Sequence, residues 1–217
     1  MKNALFAAIA AGALSAAMLT APVAGQSKAP AAGQSNLPSA TGKVVINGWA
    51  LNMSNVATGA NQTIQITINS WSSPAQRKQL IDTFLAKKQD GLLSALEKQP
   101  ERGRFNFPGY MGPDPNNIMR LGTDIRYAMN FPGEDGGRRI VIITPRVIGF
   151  RESVNQPRTI DYPFTLFEMH FDQAGKGEGR MSYALQINFD KKKNNIELEN
   201  YASEPVRLNN LVLETKK

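Results

Sequence analysis

The sequence has a single histidine, and it stands in a spacing that can do chemistry: Glu168, His170 and Asp172 alternate with Phe167, Met169 and Phe171 in the run FEMHFD. On a β-strand, residues two apart share a face, so the trio would stand in line at intervals of roughly 6.5 to 7 Å. A carboxylate beside an imidazole can orient the ring for acid/base work, and three such groups can hold a divalent metal. Hydrolytic or metal-assisted catalysis is therefore the enzymatic reading of this strand. Ligand number argues against it, because one histidine on one strand supplies too few ligands for a transition-metal site. The same alternation makes the trio the solvated face of a strand whose aromatic side faces the core. The preferred expectation is no metal, no cofactor and no committed catalytic residue.

Other chemical motifs are weaker. No G-x-S-x-G turn exists, and Ser72 and Ser73 already serve as helix-entry residues. GKGEG at Gly175 to Gly179 lacks the helix that a phosphate loop needs after it, and reads as a hairpin loop. Asp114, Asn116 and Asn117 lack EF-hand spacing. Asn52 and Asn61 begin sequons.

A binding site is better sought in two irregular stretches. Residues 103–123 carry Phe105, Phe107, Tyr110 and Met111 among Gly and Pro, and residues 145–163 carry Arg146, Phe150, Arg151, Arg158 and Tyr162. If both lie at one end of the sheet, aromatics would wall a pocket and arginines would supply cationic donors. That suits an apolar ligand with an acidic or polar head.

The elements that must position these residues follow from periodicity. Ile64, Ile66 and Ile68 alternate with Thr63, Gln65 and Thr67; Ile125, Tyr127, Met129 and Phe131 alternate with Asp124, Arg126, Ala128 and Asn130; Met181, Tyr183, Leu185, Ile187 and Phe189 do so again. Ile140 to Ile143 is apolar on both faces and reads as a central strand. Pro132 to Gly137 supplies one hairpin turn, and Lys191 to Asn195 turns the chain into Ile196 to Tyr201. A phase shift between Leu208 and Leu211 predicts a β-bulge at Asn209 and Asn210. Ser73, Pro74 and Gln76 spell a capping box ahead of Leu80, Ile81, Phe84 and Leu85, which predicts a helix over 74–88; Asp90 and Gly91 break it, and Leu92, Leu93 and Leu96 resume it up to Pro100. The fold class is thus α+β and mainly antiparallel, with about eight strands and one helical pair inserted after the second strand. The sheet is a curled sheet, a half-open barrel or a sandwich.

Several of these segments, DIRYA from Asp124, GGRRIVIITP from Gly136, DYPFTLFEMH from Asp161, GKGEG from Gly175 and IELENY from Ile196, resemble a group of uncharacterised secreted proteins of soil bacteria. The likeness covers residues 62–215. It implies export and this architecture, and it carries over no functional residue.

Length and composition set the outer limits. With 217 residues and no cysteine, the chain is neither a disulfide scaffold nor a Cys-based zinc protein. Residues 1–25, with Lys2 before the apolar run Ala4 to Ala21, read as a signal peptide, and residues 26–42 as a disordered Pro/Ala/Ser/Gly tether. Residues 43–217 then form a single globular domain, exported to the periplasm or beyond, with no stable membrane insertion once the leader is cleaved. The formal charge of +7 is scattered, with no basic stripe interleaved with stacking aromatics, which excludes nucleic acid as the expected partner. A small molecule or an envelope component such as an anionic lipid or polysaccharide takes its place. The expected function is a non-catalytic binding or interaction module; an enzyme built on Glu168, His170 and Asp172 and a structural envelope protein are the alternatives.

Overall fold

A computed structural model describes residues 42–53, 61–109, 122–133, 136–146, 163–190, 195–200 and 206–215. The leader and nearly all of the tether lie outside them, as do Asp114, Asn116 and Asn117. The described chain forms strands β1 (Val44–Leu51) and β2 (Asn61–Ile68), helix α1 (Pro74–Glu97), and strands β3 (Gly103–Asn106), β4 (Thr123–Ile125), β5 (Tyr127–Pro132), β6 (Arg138–Thr144), β7 (Phe164–Phe171), β8 (Lys176–Asp190), β9 (Asn195–Asn200) and β10 (Val206–Thr215).

Every strand pair is antiparallel, and the sheet runs β4-β3-β2-β1-β10-β8-β7-β6-β5, with β9 paired to the far half of β8. The two ends of this path, β4 and β5, are consecutive in sequence and separated only by Arg126. A single run of chain therefore pairs with β3 through its first half and with β6 through its second, which bends the sheet into a nearly closed barrel. Arg126 ties this crossing point down, donating from Nη1 to the Gln99 carbonyl at 3.0 Å and from Nη2 to Asp124 at 3.2 Å. Closure largely removes the open sheet edges that invite aggregation. Of the three sheet forms expected, the barrel is the one present. Among the described residues the strands number ten where about eight are expected: Gly103–Asn106, read as loop, pairs with β2, and the Ile125 strand is two strands.

That division reverses a face. Ile125 and Ala128 point into the barrel, whereas Tyr127 and Met129 point outward beneath α1. Strict alternation from Ile125 to Phe131 fails because the crossing at Arg126 shifts the phase by one residue, and in a period of two that exchanges the faces. A bulge in β8 does the same: Phe164 and Leu166 oppose Leu185 and Ser182, so Met181 faces inward and Leu185 outward.

Two cores result. The barrel interior is filled by Ile46, Ile64, Ile66, Phe105, Ile140, Ile142, Phe167, Met169, Met181, Leu208 and their neighbours. The second core lies between α1 and the outer face of β5 to β8, where Leu80, Phe84 and Leu96 meet Tyr127, Phe164 and Leu185. Strand β6 is apolar on both faces because Ile140 and Ile142 serve the first core and Val141 and Ile143 the second.

The helix begins as its sequence dictates. Ser73 accepts from the Gln76 backbone N–H, Gln76 Oε1 accepts from the Ser73 N–H, and Pro74 stands at the first position. The pair runs as one 24-residue span broken at Lys88, where φ is 59°. The break therefore precedes Asp90 and Gly91 by two residues. Among the described residues, no helix is long and apolar enough to cross a membrane.

Candidate functional site

The alternation that fills the barrel leaves a second set of side chains on its outside, and away from α1 these are polar. Register places them in rows across the strands. One row runs Arg139, His170, Glu178, then Asn209 and Asn210, then Trp49 and Thr63, from β6 through β7, β8, β10 and β1 to β2. A second runs Glu168, Arg180, Arg207 and Leu51. A third runs Lys176, Val212, Asn47 and Gln65. Neighbouring rows are about 6.8 Å apart and neighbouring strands about 4.8 Å.

Glu168 is the most constrained group on this face, 8% exposed. Arg139 Nε donates to Oε1 at 2.7 Å, and Arg180 donates to Oε2 from Nε at 3.0 Å and also from Nη2. Burial pushes its carboxyl up, but the hydrogen bonds and charge of Arg180 and Arg139 outweigh that and hold it below the ordinary glutamate value. A carboxylate so fixed is a poor proton acceptor. Arg139 also lies over the Phe131 ring, 5.6 Å from its centroid, which anchors the guanidinium from its other side.

His170 Nε2 stands 3.6 Å from Glu168 Oε1, beyond hydrogen-bond reach, with its ring more than half exposed. Asp172 closes the β7–β8 turn, where its Oδ1 accepts from the backbone N–H groups of Ala174 at 2.8 Å and Lys176 at 2.9 Å. Register thus brings the three residues onto one hairpin, and hydrogen bonding gives them separate roles. Among the described residues, no three His, Asp or Glu side chains gather closely enough to hold a metal. A shallow, open depression is lined by His170, Asp172, Lys176, Glu178, Asn209 and Asn210.

The expected hairpin loop at Gly175 to Gly179 is shorter than read. Asp172 to Gly175 makes the turn, and Lys176 onward is already strand. Gly179 is a glycine because a Cβ there would come within 2.4 Å of the Glu168 carbonyl and 2.9 Å of Met169 Cγ. It serves close approach of two strands where a phosphate loop would serve a ligand.

The aromatic and arginine residues expected to bind a ligand separate. Phe105 and Phe107 are 1% and 6% exposed, packed edge to face with ring centroids 4.8 Å apart, and Phe105 also meets Phe167 at 4.9 Å. Their rings are spent on the barrel interior. Arg146 has an exposed side chain, and its carbonyl accepts from Thr144 Oγ1 at 2.9 Å and Thr165 Oγ1 at 2.8 Å. Tyr110, Met111, Phe150, Arg151, Arg158 and Tyr162 lie outside the described residues. Of the two sequons, Asn52 is fully buried and Asn61 exposed, which leaves a glycan room only at the latter.

The feature that the sequence pattern did not bring forward is Trp49, 48% exposed on the outside of β1. Its signal was legible: Val44, Ile46 and Ala50 take the inward phase, and Trp49 falls in phase with Asn47 instead. Val212, 44% exposed, lies on the same face two strand positions away, opposite Asn47. Between them sits the expected bulge, with Asn210 at φ 50° and the ladder slipping on both sides of β10. Gly48 makes the bulge possible, since a Cβ there would meet Leu211 Cδ2 at 2.5 Å and the Asn209 carbonyl at 3.1 Å. The chain matches no known protein-family model, no curated protein and no solved structure.

Proposed function

We propose that the protein is an exported, non-catalytic binding module that holds its ligand on the outer barrel face formed by β1, β2, β7, β8 and β10. The observation that carries this reading is where the apolar side chains went. The barrel interior is packed with side chains, while two of the three large apolar side chains exposed among the described residues, Trp49 and Val212, share one polar face. Burying an aromatic ring is worth about 2 to 3 kcal/mol, so leaving Trp49 half in water on a well-packed scaffold favours a partner that covers it. The leader at residues 1–25 supports export. Catalysis by Glu168, His170 and Asp172 is disfavoured, because Arg139 and Arg180 occupy the Glu168 oxygens and the turn occupies Asp172.

The absence of cysteine allows a clean test. A single Val212→Cys variant of the mature chain, coupled to a polyethylene-glycol maleimide, is mixed with envelope fragments of the source cells and sedimented. The same label on Leu85→Cys, exposed on α1, is the control. Loss of co-sedimentation at position 212 but not at 85 is the expected result. Equal retention of both, or retention of neither the labelled nor the unlabelled chain, sinks the reading.

A further inference from the structure

We infer that the ligand of this face is a neutral polysaccharide, one of whose sugar rings stacks on Trp49. This rests on the outer-face reading above and names its substrate class. A pyranose ring presents a patch of C–H groups on one side and hydroxyls around its rim. Its complement is an exposed aromatic plane bordered by uncharged donors and acceptors.

Trp49 has that border. Thr63 and Asn209 stand directly opposite it on the two neighbouring strands, and Asn47 shares its face one pleat along β1. Gln65 is a diagonal neighbour, within reach of a long side chain. Gln65 Nε2 donates to Asn47 Oδ1 at 3.0 Å, so these two amides hold one another in place, and the remaining amide groups of the pair stay available to hydroxyls. Such pre-organisation lowers the entropy lost on binding.

Charge selects among possible occupants. Among the described residues, Arg207 is the one ionised side chain diagonal to Trp49. The other charges of the face stand further off, at Glu214 on β10 and on β6 to β8, where Arg139 and Arg180 are both engaged by the Glu168 carboxylate. An anionic lipid surface or an acidic polymer would call for several unengaged cations around the ring, and the amide and hydroxyl side chains that stand there meet sugar hydroxyls instead. The strand rows extend the footprint: the polar depression over β7, β8 and β10 adjoins Asn209, which gives a chain of sugars a continuous polar track beyond the stacked one.

Affinity electrophoresis of the full mature chain tests this, through native gels holding laminarin, dextran, polygalacturonate or polysaccharide extracted from the source cells. Retardation by at least one neutral polymer is expected, with an affinity reduced at least tenfold by Trp49→Ala and by less for Trp49→Phe, while both variants keep a cooperative thermal unfolding transition and the parent's far-UV circular dichroism. Retardation by polygalacturonate alone, by no polymer, or equally for Trp49→Ala and the parent overturns the inference, as does Trp49-dependent co-sedimentation with phosphatidylglycerol vesicles in its place. If the label at position 212 still abolishes envelope binding in those cases, outer-face binding stands and only the sugar is withdrawn. If the label has no effect, both fall.

Discussion

Glu168 and Arg180 face one another across the β7–β8 ladder, and Arg180 donates to a single carboxylate oxygen, Oε2, from both Nε and Nη2. Arg139, from the opposite neighbour strand, takes the other oxygen. Three adjacent strands are thereby pinned by one buried carboxylate.

Replacing that acid should show in the pH dependence of stability. The folded-state pKa of Glu168 lies below its unfolded value, so its contribution is complete above the unfolded value and is lost as pH falls through the folded one. Glu168→Gln is expected to cost about 1 to 3 kcal/mol at neutral pH. The difference from the parent should shrink progressively below about pH 4. Urea titrations from pH 7 to pH 2 measure it, and a difference that stays constant with pH would refute the assignment.

His170→Gln is expected to be silent. Its ring is more than half exposed and beyond hydrogen-bond reach of Glu168, so the change should stay within about 0.5 kcal/mol in stability. A lost catalytic activity in this variant would restore the enzymatic reading.

Phe84→Ala tests the second core. Phe84 is 2% exposed between α1 and the sheet, and its removal should cost about 3 to 5 kcal/mol. Chemical denaturation gives the magnitude, and hydrogen exchange should show faster opening of α1 than of the barrel strands.

Gly48→Ala should disturb the site without emptying the core. The added methyl would press on Leu211 and on the Asn209 carbonyl, at an expected cost of about 1 to 3 kcal/mol. Amide chemical shifts of Asn209 and Asn210 should move, and polysaccharide retardation should weaken with them. Unchanged shifts at both asparagines would show that the bulge does not depend on Gly48.

Removing the helix cap should have a small, local effect. Ser73→Ala deletes the acceptor for the Gln76 N–H, worth about 1 kcal/mol, and thermal unfolding should register a drop of a few degrees. A loss of several kcal/mol would mean that Ser73 holds more than the cap.

Local rules were legible in the sequence because they are short in range. The Ser73 capping box, the Pro132 to Gly137 turn, the two-faced apolar strand at Ile140 and the bulge at Asn209 and Asn210 each depend on residues within a few positions of one another. Alternation likewise fixed which side chains of β2 and β7 share a face. Tertiary structure decided the rest, because barrel closure is a relation between strands far apart in the chain. The crossing at Arg126 exchanged the faces of Tyr127 and Met129, and strand order set β10 between β1 and β8. Only that order puts Trp49 beside Asn209 and sets Glu168 between two arginines. A side chain's type limits what it can do, and its cross-strand neighbours, which pairing alone supplies, select what it does.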